Sequence, residues 1–411
     1  MLLHYFNYSQ NLEFVVFNTN NSAIHDNVII SLAIDSSNNK WIGGFRSNVN
    51  KFNNKDWFYY GFYHYARDIY DIKVDKNNNI WLSFGEGLAE FDSSEWIQYT
   101  SKNSGLPYDR IFSISVDLNN IVWLGLGDNM IVKFNKDSCK IFRNDNLFIF
   151  QETKVIEFDK NNNVWVGYYD AWSEDEGLGI VSKFDGINWF NFTPNNSGLP
   201  SSMHIHDLKI DSKNNKWIGT LFGGFAKFDD SLWTIYNTSN SGLPNNSIDA
   251  IAIDDHDVKW VGTRGGLAKF DDTSWTVWNT DNSDIPSNRI NCIVIDKYGN
   301  KWIGTDNGLA VFREGGVVGV EEPKETKGIS IKCYPNPAED KVKFSFHSTM
   351  NSEVKLSLTN CMGAVVREII LDAGTLQSEA ELDVSDLPCG LYFATVRSGG
   401  QVQTEKFVVL R

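Results

Sequence analysis

Short runs of alternating apolar and polar residues fill the first 313 positions, and they recur at a nearly fixed distance. An aspartate closes one such run and a tryptophan follows six residues later. The pairs are Asp35/Trp41, Asp75/Trp81, Asp117/Trp123, Asp159/Trp165, Asp211/Trp217, Asp254/Trp260 and Asp296/Trp302. Successive tryptophans lie 40, 42, 42, 52, 43 and 42 residues apart, and the long interval holds extra residues around 168–176. A period of two puts alternate side chains on opposite faces of a strand, whereas no stretch carries the 3.6-residue period of a helix. The unit at 248–278 predicts four strands: Ile248–Ile253, Lys259-Trp-Val-Gly-Thr263, Gly266-Leu-Ala-Lys-Phe270 and Trp275-Thr-Val-Trp278. Between the first two, Asp-x-x-Asn-Asn sequences read as turns, because Asp and Asn side chains bond nearby backbone and tolerate left-handed conformations. The glycine after Trp-[Ile/Val/Leu] is expected to let the next hairpin turn close. Seven four-stranded units at this period predict an all-β fold, a seven-bladed β-propeller.

The ring is expected to close through its ends. The last unit stops after three strands near Val311-Phe312, and its outer strand is found at the other end of the chain. There Phe14-Val-Val-Phe-Asn-Thr19 aligns with Trp233-Thr-Ile-Tyr-Asn-Thr238. An N-terminal strand completing the seventh blade removes the free edges of an open array.

The pattern then changes. Residues 11–313 form the propeller, and 314–329, rich in Gly and Val and then in Glu and Lys, read as a linker. In residues 330–411 the stretch Ile331–Asp340 leads into a different set of strands, near 342–346, 354–358, 364–370, 380–382, 390–396 and 405–410, which predicts a small β-sandwich.

Charge narrows the partners. The net charge is −15, of which residues 330–411, with 8 Lys+Arg against 10 Asp+Glu, hold only −2. An acidic propeller without a basic stripe excludes nucleic acid and anionic membrane as its partners. No segment approaches the roughly 20 apolar residues of a bilayer span. The five cysteines, Cys139, Cys292, Cys333, Cys361 and Cys389, lack zinc spacing, and no disulfide pair is identifiable among the last three.

Two resemblances follow from the motifs. Lys216-Trp-Ile-Gly-Thr220, Lys301-Trp-Ile-Gly-Thr305, Gly266-Leu-Ala-Lys-Phe270 and Ser241-Gly-Leu-Pro244 make residues 11–313 similar to the two-component regulator propeller repeat. The best-known members of that family are periplasmic sensors joined through a membrane helix to a histidine kinase. Tyr334-Pro-Asn-Pro337 with Asp340, Met362-Gly363 before Val365-Val366, Asp386-Leu-Pro-Cys-Gly-Leu-Tyr392 and Lys406-Phe-Val-Val resemble the type IX (Por) secretion system C-terminal sorting domain, type A. That resemblance implies a Bacteroidota source and a partner in the type IX secretion machinery. It also implies a secreted or outer-membrane-surface destination, with the domain removed or exchanged for an anchor. Such cargo carries a Sec signal peptide. Residues 1–7 show neither a basic start nor an apolar run, which points to a late start codon or a trimmed chain.

Candidate chemistry is sparse. His204-x-His206 beside Asp207 lies on the inner strand of the fifth blade, and i, i+2 histidines share a face, but no third ligand is evident, so no metal is expected. Asp75-x-Asn-x-Asn79 and Asp159-x-Asn-x-Asn163 begin like calcium loops, yet Ile80 and Val164 stand where that loop needs glycine. The insertion Tyr168-Tyr-Asp-Ala-Trp-Ser-Glu-Asp-Glu176 falls between the second and third strands of blade 4, on the face propellers commonly use for ligands. Aromatic faces beside carboxylates suit sugar rings or a cation. Tyr168, Tyr169, Asp170, Trp172, Glu174 and His206 are therefore the expected ligand-binding residues. Asp170 and Glu174 are also a carboxylate pair with acid/base capacity. The position five before each blade aspartate varies widely (Ile30, Tyr70, Phe112, Lys154, His206, Asp249, Asn291), while the residue before it is isoleucine in every blade but the fourth. A shared mouth with mixed chemistry would look like this, and so would an unselected solvated site. No nucleophile elbow, phosphate loop or cofactor motif is present. The leading expectation is a surface binding module for a glycan or protein. The alternatives are a propeller lyase or hydrolase acting on a polysaccharide and, third, a sensor fragment.

Overall fold

A computed structural model describes residues 13–45, 48–61, 69–136, 138–147, 151–169, 179–202, 204–320, 330–347, 354–360, 364–371, 377–398 and 401–410. Every regular element among them is a strand. Ile24–Glu322 and Pro323–Arg411 fall in separate compact units.

The first unit is a ring of seven four-stranded antiparallel sheets. Each innermost strand packs against that of the next blade, and the seventh (Ile290–Ile295) packs against the first (Ile29–Ile34). The seventh sheet takes its outer strand from Phe14–Phe17, which pairs antiparallel with Gly308–Phe312 in the register Phe14↔Phe312 to Phe17↔Leu309. Phe17 then lies across the seam, 5.2 Å from Phe52 of blade 1 and stacked 6.4 Å from Trp302 of blade 7.

The aspartate–tryptophan spacing has one cause, repeated seven times. The carboxylate of each turn aspartate accepts a bond from its tryptophan's Nε1, at 2.9–3.1 Å in every blade. Its other oxygen takes backbone N–H groups of the turn, as Asp75 does from Asn77 and Asn79 at 2.9 Å. These carboxylates are occupied by their own turns. The third residue after each aspartate sits at positive φ, from Asn78 at 71° to Asp257 at 60° and Gly299 at 79°, which is why Asn, Asp and Gly stand there. Four of these side chains also reach a neighbouring blade, Asn78 Oδ1 accepting from Ser36 N at 2.8 Å, for example.

The core lies between blades. Each tryptophan is sandwiched with apolar residues of the following blade, as Trp165 is with Leu208, Ile218 and Phe228. In four blades the residue before the tryptophan is a buried lysine whose ammonium sits over the tryptophan of the preceding blade. Lys40 lies 4.4 Å over Trp302, Lys216 4.7 Å over Trp165, Lys259 4.5 Å over Trp217 and Lys301 4.1 Å over Trp260. A desolvated cation is strongly attracted to an indole face. In blades 2, 3 and 4 the same place is apolar, with Ile80, Val122 and Val164.

The glycine after Trp-[Ile/Val] serves a different purpose from the expected turn. A Cβ on Gly219 would stand 2.7 Å from Ile248 Cγ2 of the next blade, and one on Gly262 2.6 Å from Ile290 Cγ2. Close approach between blades, and no positive φ, excludes a side chain there.

Residues after the last blade remain with the ring as far as 320. Val318 exchanges two bonds with the Asn300 side chain, at 2.8 and 3.1 Å, and Val317 and Val320 pack on the seam cluster.

The second unit pairs a three-stranded sheet (Ser330–Tyr334, Lys341–His347, Gln377–Asp383) with a four-stranded one. The latter is ordered Val365–Leu371, Val354–Asn360, Gly390–Ser398, Gln401–Val409. Val342, Phe344, Leu356, Leu358, Ala394, Val396, Phe407 and Val409 form one buried core, with Phe344 and Phe407 edge-on at 5.6 Å. The Tyr334-Pro-Asn-Pro337 motif is explained by its asparagine. Asn336 Oδ1 accepts from Val408 N at 2.9 Å and its Nδ2 donates to Lys406 O at 3.1 Å, pinning the last strand. Cys139, Cys292, Cys333 and Cys389 are free thiols, and Cys361 lies outside the described residues.

Candidate binding site at the channel mouth

Every innermost strand is interrupted at the same place. Its pairing with the second strand slips by one residue at Ile30, Tyr70, Phe112, Lys154, His206, Asp249 and Asn291. These are the seven variable positions of the sequence pattern. A bulge leaves one residue unpaired and re-aims its side chain. All seven line a single central cavity of about 170 Å³. The register places this end of each inner strand beside the loop joining the second and third strands, as Glu152↔Tyr169 and Ile205↔Thr220 show. The blade 4 insertion leaves from that same end.

The wall is divided. Blades 1–3 contribute Ile30, Tyr70 and Phe112, the two rings 5.9 Å apart. The Arg110 guanidinium lies 4.8 Å over Phe112 and 3.8 Å from Glu152. Burial pushes the Glu152 carboxyl above its usual range, with Arg110 and Lys154 opposing. Blades 4–7 contribute Lys154, His206, Asp249 and Asn291. His206 Nδ1 is 2.6 Å from Asp249 Oδ1, and Asp249 Oδ2 accepts from Arg264 Nε at 3.2 Å with Arg289 at 3.7 Å. Burial raises the Asp249 pKa, but His206 and Arg264 outweigh it and hold the carboxyl below its ordinary value. Asn291 Nδ2 donates to Ile29 O at 3.0 Å and to Asp306 Oδ1 at 2.9 Å. Deeper in the channel Lys209 bridges Glu157 and Asp207, and Lys73 meets Asp71 at 3.1 Å. The outer oxygens of Asp71 and Asp207 accept backbone N–H bonds from Ile114 and Ile251 of the following blades.

The expected site residues separate. The bulge at His206 breaks the alternation that would have aligned the two histidines: His206 turns into the channel, while His204 is buried and stacked on Tyr169 at 4.0 Å. Among the described residues no group of three metal-ligating side chains comes together. Tyr169 is half-buried at the rim, 6.2 Å from His206. Tyr168 departs from expectation: it is 0% exposed, its hydroxyl shared with Asn144 and Ser182 and its pKa pushed by burial to about 12. Alternation along the strand puts it in the core while Tyr169 faces outward. Asp170, Trp172 and Glu174 lie outside the described residues.

Sequence reasoning missed Arg264, Asp306 and Arg289. The first two immediately follow the Trp-[Ile/Val]-Gly-Thr strand, and that offset was the available signal. It also missed Phe222, 61% exposed at φ 72° in the neighbouring loop of blade 5. Leu221 N bonds His204 O at 3.1 Å, and Gly223 leaves no room for a Cβ beside Thr220 Oγ1 and Ser201 O. A bulky residue at positive φ is strained, and such strain gathers at binding sites.

Comparison with known proteins accords with this architecture. Residues 332–410 match the secretion system C-terminal sorting domain and residues 284–307 the two component regulator propeller. No curated protein matches the chain significantly. Among solved structures it is similar to PorZ, a bacterial surface component of the type IX secretion system of Porphyromonas gingivalis (17% identical, TM-score 0.60, covering 95% of this chain and 60% of that one). It is also similar to the extracellular domain of BT4673 from B. thetaiotaomicron (16% identical, TM-score 0.57, covering 97% and 59%). Virginiamycin B lyase from Staphylococcus aureus aligns with the propeller (13% identical, TM-score 0.60, covering 74% and 100%). The chain thus spans about 60% of the length of the first two, and at these identities the likeness establishes the fold alone. Fold, repeat and tail agree: this chain is a seven-bladed β-propeller that matches the two component regulator propeller at residues 284–307 and carries, at residues 332–410, a secretion system C-terminal sorting domain that marks it for export to the cell surface or medium.

Proposed function

We propose that the propeller is the recognition module of this exported chain and binds a glycan over the channel mouth, while the C-terminal domain engages the type IX secretion machinery. The observation that carries the reading is the ring of bulges. One side chain from every blade is turned to a common opening, and these seven differ in chemistry while the residue before each is isoleucine in every blade but the fourth. Aromatic rings on one side and hydrogen-bonding groups on the other suit the two faces of a sugar. The place of His206 in the channel wall, with Tyr169 6.2 Å from it, supports assigning both to this site, and Asp170, Trp172 and Glu174 are assigned to it on their chemistry alone. A glycan array probed with the full chain, with and without a calcium chelator and beside a Tyr169→Ala/Trp172→Ala variant, tests it. A hit lost in the variant assigns recognition to the blade 4 rim, and a hit retained assigns it elsewhere on the mouth. No hit on any glycan refutes the sugar reading and leaves a protein ligand.

A second reading, a polysaccharide lyase or hydrolase, is favoured by His206, whose ring is oriented by Asp249 as a general base would be. Absence of new reducing ends or unsaturated products from any polysaccharide that the chain binds would refute it.

A further inference from the structure

The ring already carries one peptide of its own chain in a groove between blades. Residues 313–320 leave the last strand and run along the joint between blades 7 and 1. Val318 is held there by its backbone, its N–H donating to Asn300 Oδ1 at 3.1 Å and its carbonyl accepting from Asn300 Nδ2 at 2.8 Å. Val317 and Val320 pack on the cluster of Phe52 and Trp302, and Trp57 packs on the same cluster. A clamp of this kind reads main-chain groups, which every residue but proline offers as a pair.

Blades 2 and 3 repeat that groove with two differences. Place after the turn aspartate and strand register make Asn79, Trp81, Phe134 and Cys139 the counterparts of Asn300, Trp302, Phe52 and Trp57. Asn79 Nδ2 donates to Asp75 at 3.0 Å as Asn300 Nδ2 does to Asp296 at 2.8 Å, so the two amides are turned alike. Asn300 is 0% exposed, whereas Asn79 is half-buried and lines a cavity. The second difference is a missing ring. In six blades the first residue of the outer strand is aromatic and lies on a phenylalanine, with centroids from 4.4 Å (Phe52 and Trp57) to 5.0 Å (Phe91 and Trp96) apart. Blade 3 pairs Phe134 with Cys139 instead. The Asn-Ser-Gly-Leu-Pro loops register the loss. A Cβ on Gly198 or Gly242 would stand 2.5 Å from Trp233 or Trp275, whereas one on Gly105 meets nothing within 4 Å. The resulting cavity of about 440 Å³ is lined by Asn79, Trp81, Ile121, Val122, Phe134 and Cys139 among others. That volume falls within the roughly 300–1,000 Å³ of ligand-sized sites.

We propose that the groove between blades 2 and 3 docks an extended peptide of a partner protein. Asn79 clamps the N–H and C=O of one residue, as Asn300 clamps Val318, and a bulky apolar side chain of the peptide fills the place of the missing tryptophan. The peptide is thus of the same kind as residues 314–320, with one valine enlarged. None of the groove residues lines the channel, so the proposal is independent of the glycan reading.

The test is fluorescence anisotropy of dye-labelled peptides titrated with the full chain. The peptides carry the sequence of residues 314–320, either unchanged, with Val317→Phe or with Val320→Phe. One phenylalanine peptide is expected to bind with a Kd on the order of 100 µM, and about fivefold or more tighter than the unchanged peptide. Asn79→Ala in the protein should weaken it about tenfold, for two backbone bonds lost. Cys139→Trp, which refills the hollow as in the other blades, should abolish the preference for phenylalanine. Asn300→Ala, at the distant joint, should leave the affinity within about twofold. Unfolding midpoints read by tryptophan fluorescence identify any variant that has lost its fold, and the remaining variant then decides. No saturation by either phenylalanine peptide below about 5 mM would overturn the proposal. Binding indifferent to both Asn79→Ala and Cys139→Trp, or lost in Asn300→Ala alone, would assign the peptide to another place and overturn it as well.

Discussion

Replacing Asp211 by alanine withdraws one carboxylate from four donors. Its Oδ1 accepts from Lys213 N at 2.9 Å and Asn215 N at 2.8 Å, and its Oδ2 from Asn215 Nδ2 at 2.7 Å and Trp217 Nε1 at 2.9 Å. Lys213 is exposed, so water replaces the acceptor there. Trp217 is 0% exposed and Asn215 8%, so their donors are stranded. Each stranded donor costs about 1–3 kcal/mol, so the substitution should cost about 3–5 kcal/mol. Asp211→Asn keeps one acceptor oxygen and should cost about half as much. Trp217→Phe keeps most of the buried ring and should lose about 1–2 kcal/mol, and the double variant should reveal coupling of similar size. Urea unfolding followed by tryptophan fluorescence isolates the effect, because all 14 tryptophans precede residue 313 and the sorting domain contributes no signal. At about 2 °C per kcal/mol for a domain of this size, the alanine variant should melt about 6–10 °C lower. A loss below about 1 kcal/mol, or a cycle without coupling, would refute the claim that the repeated aspartate is the structural keystone of its blade.

Two further outcomes concern the joints between blades. Gly219→Ala should cost about 1–3 kcal/mol, since the new methyl would lie 2.7 Å from Ile248 Cγ2. Gly127→Ala, whose Cβ meets nothing nearer than Phe112 Cε2 at 3.9 Å, should change the unfolding midpoint little. At the seam between blades 7 and 1, burial lowers the Lys40 pKa from 10.5 to about 8, outweighing the nearby Asp296. The unfolded chain then binds more protons than the folded one between about pH 8 and 10.5, so this lysine's contribution to stability rises with pH through that window, by about 3 kcal/mol in all. Lys40→Met should remove that rise. A wild-type minus Lys40→Met difference in urea midpoint that stays flat from pH 7 to 10.5 would contradict the burial argument.

What the sequence determined by itself was everything that depends on local chemistry repeated in register. The aspartate, the left-handed asparagine and the tryptophan six residues on form a closed hydrogen-bonding unit within about seven residues, so seven copies announce seven blades. The matching outer strands at Phe14 and Trp233 announced the closure for the same reason, and the tail motifs marked the sorting domain. Tertiary structure decided what depends on a neighbour distant in the chain. The glycine after Trp-[Ile/Val] looks like a turn residue in one dimension, yet it is a clearance for the isoleucine of the next blade. The lysine before the tryptophan looks solvated, yet it is buried over another blade's indole. Tyr168 and Tyr169 are equivalent as letters, but strand pairing buries one and leaves the other at the rim. The varied position before each aspartate had two readings, solvated or shared, because alternation alone cannot show a bulge. Only the slipped register, which depends on the paired strand, turns those seven side chains toward one another and makes a site of them.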